Sequence, residues 1–120
     1  MEIQGLYGVV ATGEMKTAEA FYTGLIGRGP DDRPMDTLIQ WRDLAGAGIQ
    51  IVNDPAKAGS SLLTIVVPSM TEAREAIKSN GLKLGEEVKG DFGVIAQIND
   101  PDGNLVTLAE PPRGFGNKTG

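Results

Sequence analysis

The stretch Asp100-Pro101-Asp102-Gly103-Asn104-Leu105-Val106-Thr107-Leu108-Ala109-Glu110-Pro111 carries the strongest structural signal in the chain. Proline at the second position and glycine at the fourth suit a type I turn. The apolar runs on either side, Val94 to Ile98 and Leu105 to Leu108, then predict a bulged hairpin. We interpret Asp100 and Asp102 as turn formers, because their spacing lacks the alternating acidic pattern of a calcium loop.

A strand and a helix precede this hairpin. Leu62 to Val67 is a continuous apolar run of the kind found in buried strands. Ser69-Met70-Thr71-Glu72 matches a capping box, and Asn80-Gly81 provides a left-handed stop for the helix that follows it. Leu82 to Val88 predicts a further strand. The second half of the chain therefore has the order strand, helix and three further strands.

The first half follows a similar order. Leu6 to Ala11 predicts a strand, and apolar residues at helical spacing from Met15 predict a helix that ends at Gly27-Arg28-Gly29-Pro30. Thr37 to Trp41 and Gly48 to Val52 then predict a hairpin. Because the order of elements repeats, we expect two related units in one chain.

The repeat predicts an α+β fold of two βαβββ modules that form a curved mixed sheet with the helices on its outer face. The polar segment Asn53 to Gly59 is the predicted linker, so the modules span about 1–54 and about 60–112, with a flexible tail at 113–120. The concave sheet face would then be free for a small molecule. A ferredoxin-like sandwich, whose sheet binds another subunit, is the alternative.

Composition narrows the functional classes. The chain has 120 residues, no cysteine and a formal net charge of −5. The missing cysteines exclude thiol chemistry and agree with a cytoplasmic location. The negative charge disfavours nucleic acid and suits a neutral or cationic ligand. No apolar run approaches the roughly 20 residues of a spanning helix, so we expect no membrane partner.

Three stretches resemble one known superfamily. Ala20 to Gly27 is similar to its "FYxxxLG" helix, Met70 to Gly81 to its second helix, and Asp100 to Pro111 to its "DPDGN…ELxEP" ending. On these residues the chain resembles the glyoxalase / bleomycin-resistance / extradiol-dioxygenase superfamily, also called the vicinal oxygen chelate superfamily. The resemblance implies a homodimer, because sites in this superfamily are commonly completed across a two-fold axis.

The resemblance also implies four metal-ligand positions, which fall on Tyr7, Gln50, Leu62 and Thr107. Enzymes of the superfamily commonly have two histidines and two glutamates there, whereas this chain contains no histidine. Phenol, amide, alkyl and hydroxyl groups are poor ligands for a divalent metal. We therefore expect no metal and no other cofactor.

A ligand-binding role is the hypothesis for the same face. Tyr7, Gln50 and Thr107 would offer hydrogen bonds, Leu62 an apolar wall, and Trp41 a ring that stacks on the ligand. Two of these residues have an alternative: Trp41 as a core or interface aromatic, and Tyr7 as a packing residue. Glu110 lies three residues from Thr107, which places it on the opposite strand face in a structural role.

Three functions remain open. The first is a metal-independent binding protein of the bleomycin-resistance branch that takes a cationic or aromatic compound. The second is a metal-independent lyase or isomerase that uses Tyr7 or a carboxylate as acid or base. The third is an accessory or regulatory domain that binds a protein partner through an exposed sheet.

Overall fold

The computed structural model describes residues 1–112, in which the order strand, helix and three strands occurs twice. The predicted tail at 113–120 lies outside the described residues. The elements are β1 (Tyr7–Thr12), α1 (Met15–Ile26), β2 (Asp32–Met35), β3 (Leu38–Leu44), β4 (Ala47–Asn53), β5 (Leu62–Val66), α2 (Met70–Ser79), β6 (Val88–Gly90), β7 (Gly93–Asn99) and β8 (Leu105–Glu110). No helix in this part of the chain has the length and apolarity needed to cross a bilayer.

Each module forms its own four-stranded sheet. The strand orders are β1-β4-β3-β2 and β5-β8-β7-β6, and in both the first strand is parallel to the last while the other pairs are antiparallel. The predicted mixed α+β architecture is therefore confirmed, as two sheets related by an internal repeat. The first strands, β1 and β5, are neighbours at the seam between the sheets, where the Ala11 amide donates to Ser61 Oγ over 3.2 Å.

Local chemistry explains where the helices begin and end. Glu14 caps α1 by accepting from the amide of Lys16 at 3.0 Å, and Gly27 ends it with a φ of 95°, which glycine adopts without steric cost. Ser69 caps α2 by accepting from the amide of Glu72 at 3.2 Å. Glu110 accepts from the Met70 amide at 2.6 Å, which confirms its predicted structural role.

Side chains alternate between two faces of the sheets. One face packs against the helices and forms a single core across both modules, in which Ile39, Trp41 and Val106 are each 0% exposed. The opposite side chains form a helix-free surface, here called the open face, and several large apolar residues on it are exposed. The strand residues of the open face used below are Tyr7, Val9, Asp32, Gln40, Gln50, Leu62, Thr64, Val66, Gln97 and Thr107.

Two of the sheet edges differ from prediction. The strand expected over Leu82 to Val88 is wrong except at its end, because β6 covers only Val88–Gly90. The Arg74 guanidinium donates hydrogen bonds to the carbonyls of Leu84 and Gly85, at 2.9 and 2.7 Å, so this segment packs as irregular chain. The sequence patterns also do not predict β2, a short edge strand that contains a proline.

Candidate functional site

The seam is held by the turn from Asp100 to Asn104. Asn104 is 1% exposed, and its carbonyl oxygen accepts from the amides of Gly59 and Ser61 at 2.9 and 2.8 Å. Its amide nitrogen donates to the Ala11 carbonyl at 2.8 Å. One side chain therefore joins β8 to the start of β5 and to β1, which fixes the two edge strands that border the open face.

Asp100 and Asp102 extend this contact to the first module. The buried Tyr22 hydroxyl on α1 donates to Asp100 Oδ2 at 2.8 Å, and burial together with that carboxylate raises the tyrosine pKa. Asp102 accepts from the Thr12 hydroxyl and from the Gly13 amide. The two aspartates are turn formers, as predicted, but they also bind the second module to the first.

Four of the five expected site residues lie on the open face. Register pairs Tyr7 with Gly48 and Val9 with Gln50 in the first sheet, and Leu62 with Leu105 and Thr64 with Thr107 in the second. Paired residues on neighbouring strands project to the same side. Tyr7, Gln50, Leu62 and Thr107 consequently border the same helix-free surface, two from each module.

Trp41 does not belong to this group. It is 0% exposed, lies in the core cluster, and donates its indole N–H to the Arg28 carbonyl at 2.8 Å. Its neighbour Gln40 pairs with Gln50, so alternation along β3 directs Trp41 to the helix side. The expected stacking of this ring on a ligand is therefore wrong, and its alternative role as a core aromatic fits.

Tyr7 is half exposed and its ring lies over a glycine. A Cβ on Gly48 would come within 2.5 Å of the Tyr7 ring and 2.7 Å of the Trp41 carbonyl. Real Cβ atoms essentially never approach other atoms that closely, so only glycine leaves space for the ring here. The absence of a side chain at position 48 thus determines where the phenol lies on the open face.

Glutamines extend the polar part of the open face. Gln50 donates to the Gln40 side chain at 2.9 Å, and Gln40 donates to Asp32 at 2.8 Å. At the matching place in the second module, Gln97 donates to the Thr107 hydroxyl at 3.0 Å. The predicted site residues do not include Asp32, Gln40 or Gln97, although pairing the predicted hairpin strands outward from Gln50 and Thr107 locates both glutamines.

Solved structures share this architecture. The glyoxalase / bleomycin resistance protein from Catenulispora acidiphila is 26% identical, with a TM-score of 0.84 over 92% of this chain and 100% of that chain. TnmS3, an antibiotic binding protein from Streptomyces, is 21% identical with a TM-score of 0.74 over 92% and 98%. Lactoylglutathione lyase from Agrobacterium tumefaciens is 15% identical with a TM-score of 0.72 over 92% and 95%.

The chain belongs to the vicinal oxygen chelate superfamily. This confirms the family expected from its motifs. Neither a protein-family model nor a curated protein sequence matches the chain. The structural neighbours include both a binding protein and an enzyme, so the superfamily by itself does not decide between these two functions.

The metal of the vicinal oxygen chelate enzymes does not fit the residues present here. A divalent ion needs carboxylate, imidazole or several converging oxygens, whereas the four carried-over positions supply a phenol, an amide, an isobutyl group and a hydroxyl. Gln50 and Thr107 already have hydrogen-bond partners in their own sheets. Within residues 1–112, histidine, cysteine and carboxylate side chains form no cluster of three or more.

A cavity of about 530 Å³, here called the helix-side cavity, lies at the seam and is lined mainly from the helix side of the same vicinal oxygen chelate fold. Its walls are almost entirely apolar and come from the end of α1, the β3–β4 turn and β5. Gly8, Ile49, Leu63 and Ile65 line it from the helix side, where they alternate with the residues of the open face. The lining also includes Gly48, Thr64 and Val66, whose register places them on the open-face side. Its volume suits a small ligand, but it lacks the converging polar groups of the open face.

Proposed function

We propose that this chain is a metal-independent small-molecule binding protein, which takes an aromatic or cationic compound against its open face as a homodimer. The observation that carries the proposal is an exposed apolar surface at the seam, bordered by hydrogen-bonding side chains. Leu62 is 81% exposed, Val66 66% and Val9 55%. Exposed apolar patches of this kind, rimmed by polar groups, mark binding surfaces.

The chemistry of the face supports binding over catalysis. Among the four positions that the superfamily uses for metal ligands, Tyr7 has the only ionisable side chain, while Gln50 and Thr107 can orient a ligand through neutral hydrogen bonds. Asp32, the nearest carboxylate in the same hydrogen-bond network, already accepts from Gln40 and Arg42. The antibiotic-binding neighbour supports the same class of function, and a net charge of −5 with no cysteine suits a cationic ligand in the cytoplasm.

An enzyme without a metal and a protein-binding accessory domain remain the alternatives. The exposed phenol of Tyr7 favours the enzyme, since it could act as an acid or base next to a bound substrate. The apolar seam favours the accessory domain, because a partner sheet could cover it. Turnover of a bound compound would identify the enzyme, and a stable heteromeric complex without small-molecule binding would identify the accessory domain.

Assembly is the first testable consequence. We expect a dimer with twice the 12.6 kDa mass of one chain in light scattering, because the exposed apolar seam would be covered by a symmetric partner. Leu62→Lys should shift the protein to monomer without unfolding it, since this side chain makes little contact within one chain. Val88→Lys, on the distant edge strand β6, serves as control. A monomeric parent protein would contradict the shared site.

Ligand binding is the second consequence. In a thermal-shift screen of aromatic amines, aromatic amides and divalent metals, we expect stabilisation by organic compounds and none by metals, because a ligand that binds the folded state raises its stability. Tyr7→Ala should weaken binding of the hits by about 1–3 kcal/mol, as for an aromatic hot spot.

The neighbouring glycine provides a control for the location of the site. A Cβ at Gly8 would meet its nearest atom, Leu63 Cδ1, at 3.6 Å, an ordinary van der Waals contact, and the rest of the side chain in Gly8→Met would extend into the cavity that Gly8 lines. Adjacent strand residues point to opposite faces. We expect Gly8→Met to leave affinity unchanged. If Gly8→Met abolishes binding while Tyr7→Ala does not, the ligand occupies the cavity instead of the open face.

A further inference from the structure

The strand pair β2–β3 contains a charged group that sets the orientation of a neutral one. Asp32 Oδ2 accepts from Gln40 Nε2 at 2.8 Å and from Arg42 Nε at 2.7 Å. The Gln40 amide and then the Arg42 guanidinium hold the pKa of Asp32 below its usual value. The carboxylate is therefore ionised at neutral pH and can only accept hydrogen bonds.

This charge determines which end of the Gln40 amide faces which neighbour. If the amide were reversed, its carbonyl oxygen would lie against the carboxylate, and two acceptors would face each other. The NH₂ group must therefore point to Asp32, which directs the carbonyl oxygen of Gln40 to the other side. There Gln50 Nε2 donates to it at 2.9 Å.

The same reasoning applies one strand further on. Because the NH₂ group of Gln50 is directed towards Gln40, its carbonyl oxygen is the end that points away along the open face. Asp32, Gln40 and Gln50 are register partners across three adjacent strands, so the three side chains lie in one row. We call them the amide relay. Its last group is a hydrogen-bond acceptor.

We propose that Asp32 is a positioning residue that acts through the amide relay to make the open face select ligands carrying an N–H or O–H donor. The selection rests on the proposed function, because it concerns the ligand of that same face. A primary amide, an ammonium or a hydroxyl group can donate to Gln50, whereas a fully substituted amide or an ether of the same shape cannot. An unpaired acceptor on the ligand side would then cost affinity.

The first test needs no ligand. In nuclear magnetic resonance spectra with assigned side-chain amides, Asp32→Asn should shift the NH₂ signals of both Gln40 and Gln50, because the asparagine no longer forces one orientation. Asp31→Asn is the matched control. That neighbouring carboxylate binds Arg28 and the Arg42 amide, but it makes no contact with Gln40 among the described hydrogen bonds. Unmoved Gln50 signals in Asp32→Asn would overturn the relay.

The second test uses benzamide and N,N-dimethylbenzamide, which share ring and carbonyl but differ in the N–H donors. In the parent protein we expect benzamide to bind at least tenfold more tightly in titrations followed at open-face resonances. The ratio should fall below about threefold in Asp32→Asn and remain unchanged in Asp31→Asn, a difference that a purely structural role of Asp32 would not produce.

The results distinguish a failure of the proposed donor selection from a failure of the proposed binding function. If both amides bind the open face of the parent protein equally well, the selection is wrong while the binding face stands. If neither amide moves any open-face resonance, the binding face is wrong and the selection fails with it.

Discussion

Asn104→Ala is expected to destabilise the protein by about 3–5 kcal/mol, because a buried side chain and the polar groups that it joins at the seam lose three hydrogen bonds at once. The side chain is 1% exposed, accepts from Gly59 and Ser61, and donates to the Ala11 carbonyl. Each buried group left unpaired costs about 1–3 kcal/mol. For a domain of this size the melting temperature should fall by roughly 10 °C or more in a thermal melt.

A matched control lies in the same hairpin. Asn99 also donates its side-chain amide to a backbone carbonyl, that of Gly103 at 3.3 Å, but it is exposed to solvent. Asn99→Ala should therefore change stability by less than about 0.5 kcal/mol, since water replaces the lost contact. Equal effects of the two variants would mean that Asn104 does not hold the seam.

The internal repeat suggests why the Asp100–Asn104 turn joins the two modules while the corresponding β3–β4 turn of the first module does not. The two modules can be aligned in sequence with Gln50 at the position of Thr107. In this alignment Asp43, Ala45 and Ala47 of the first module correspond to Asp100, Asp102 and Asn104 of the second. The alanines cannot make the polar contacts of Asp102 and Asn104. The helix-side cavity lies next to this first turn, with Ala45 and Ala47 among its walls. The turn of the second module therefore contacts the first module through polar side chains, whereas an apolar cavity lies beside the corresponding turn of the first module.

Much of the fold could be predicted from the sequence because its signals are local. Periodicity and capping identified both helices, and the two hairpins followed from apolar runs around turns. β2 and most of the segment before β6 could not be predicted, because they are edge regions held by side chains from elsewhere. Arg74, for example, lies on α2 and donates hydrogen bonds to the carbonyls of Leu84 and Gly85.

The role of the Asp100–Asn104 turn shows the same limit. Its residue types indicate a turn, and that prediction needed only four neighbouring positions. The partners of Asn104 are 43 to 93 residues away along the chain, at Ser61 and Ala11. No local pattern contains that pairing, so the inter-module contact became evident only from the folded chain.

For the candidate site, strand alternation was enough to identify one face but not to assign every residue to it. Tyr7, Gln50, Leu62 and Thr107 came from family positions that share a face. The prediction of Trp41 as a site residue rests on its ring chemistry, whereas its neighbour Gln40 is the residue that pairs with Gln50. Because adjacent residues point to opposite sides, that pairing excludes Trp41 from the open face.

Trp41→Ala is accordingly expected to act on stability and not on binding. The indole is 0% exposed in a core that spans both modules, and large-to-small substitutions of buried aromatic residues cost about 3–5 kcal/mol. The Arg28 carbonyl also loses the indole N–H that donates to it at 2.8 Å. Chemical denaturation should show a lower midpoint with an unchanged slope if the variant still unfolds in two states.

Trp41→Phe separates the two contributions, because it keeps an aromatic ring in the core but removes the N–H donor. Its cost should be smaller, about 0.5–1.5 kcal/mol, which corresponds to the net contribution of one hydrogen bond. At a temperature where both variants remain folded, their affinity for an open-face ligand should stay within about twofold of the parent value, since a 0% exposed ring on the helix side cannot touch that ligand. A tenfold loss of affinity in Trp41→Phe with unchanged stability would instead place the ring against the ligand, and would require β3 to present its residues to the opposite faces from those described.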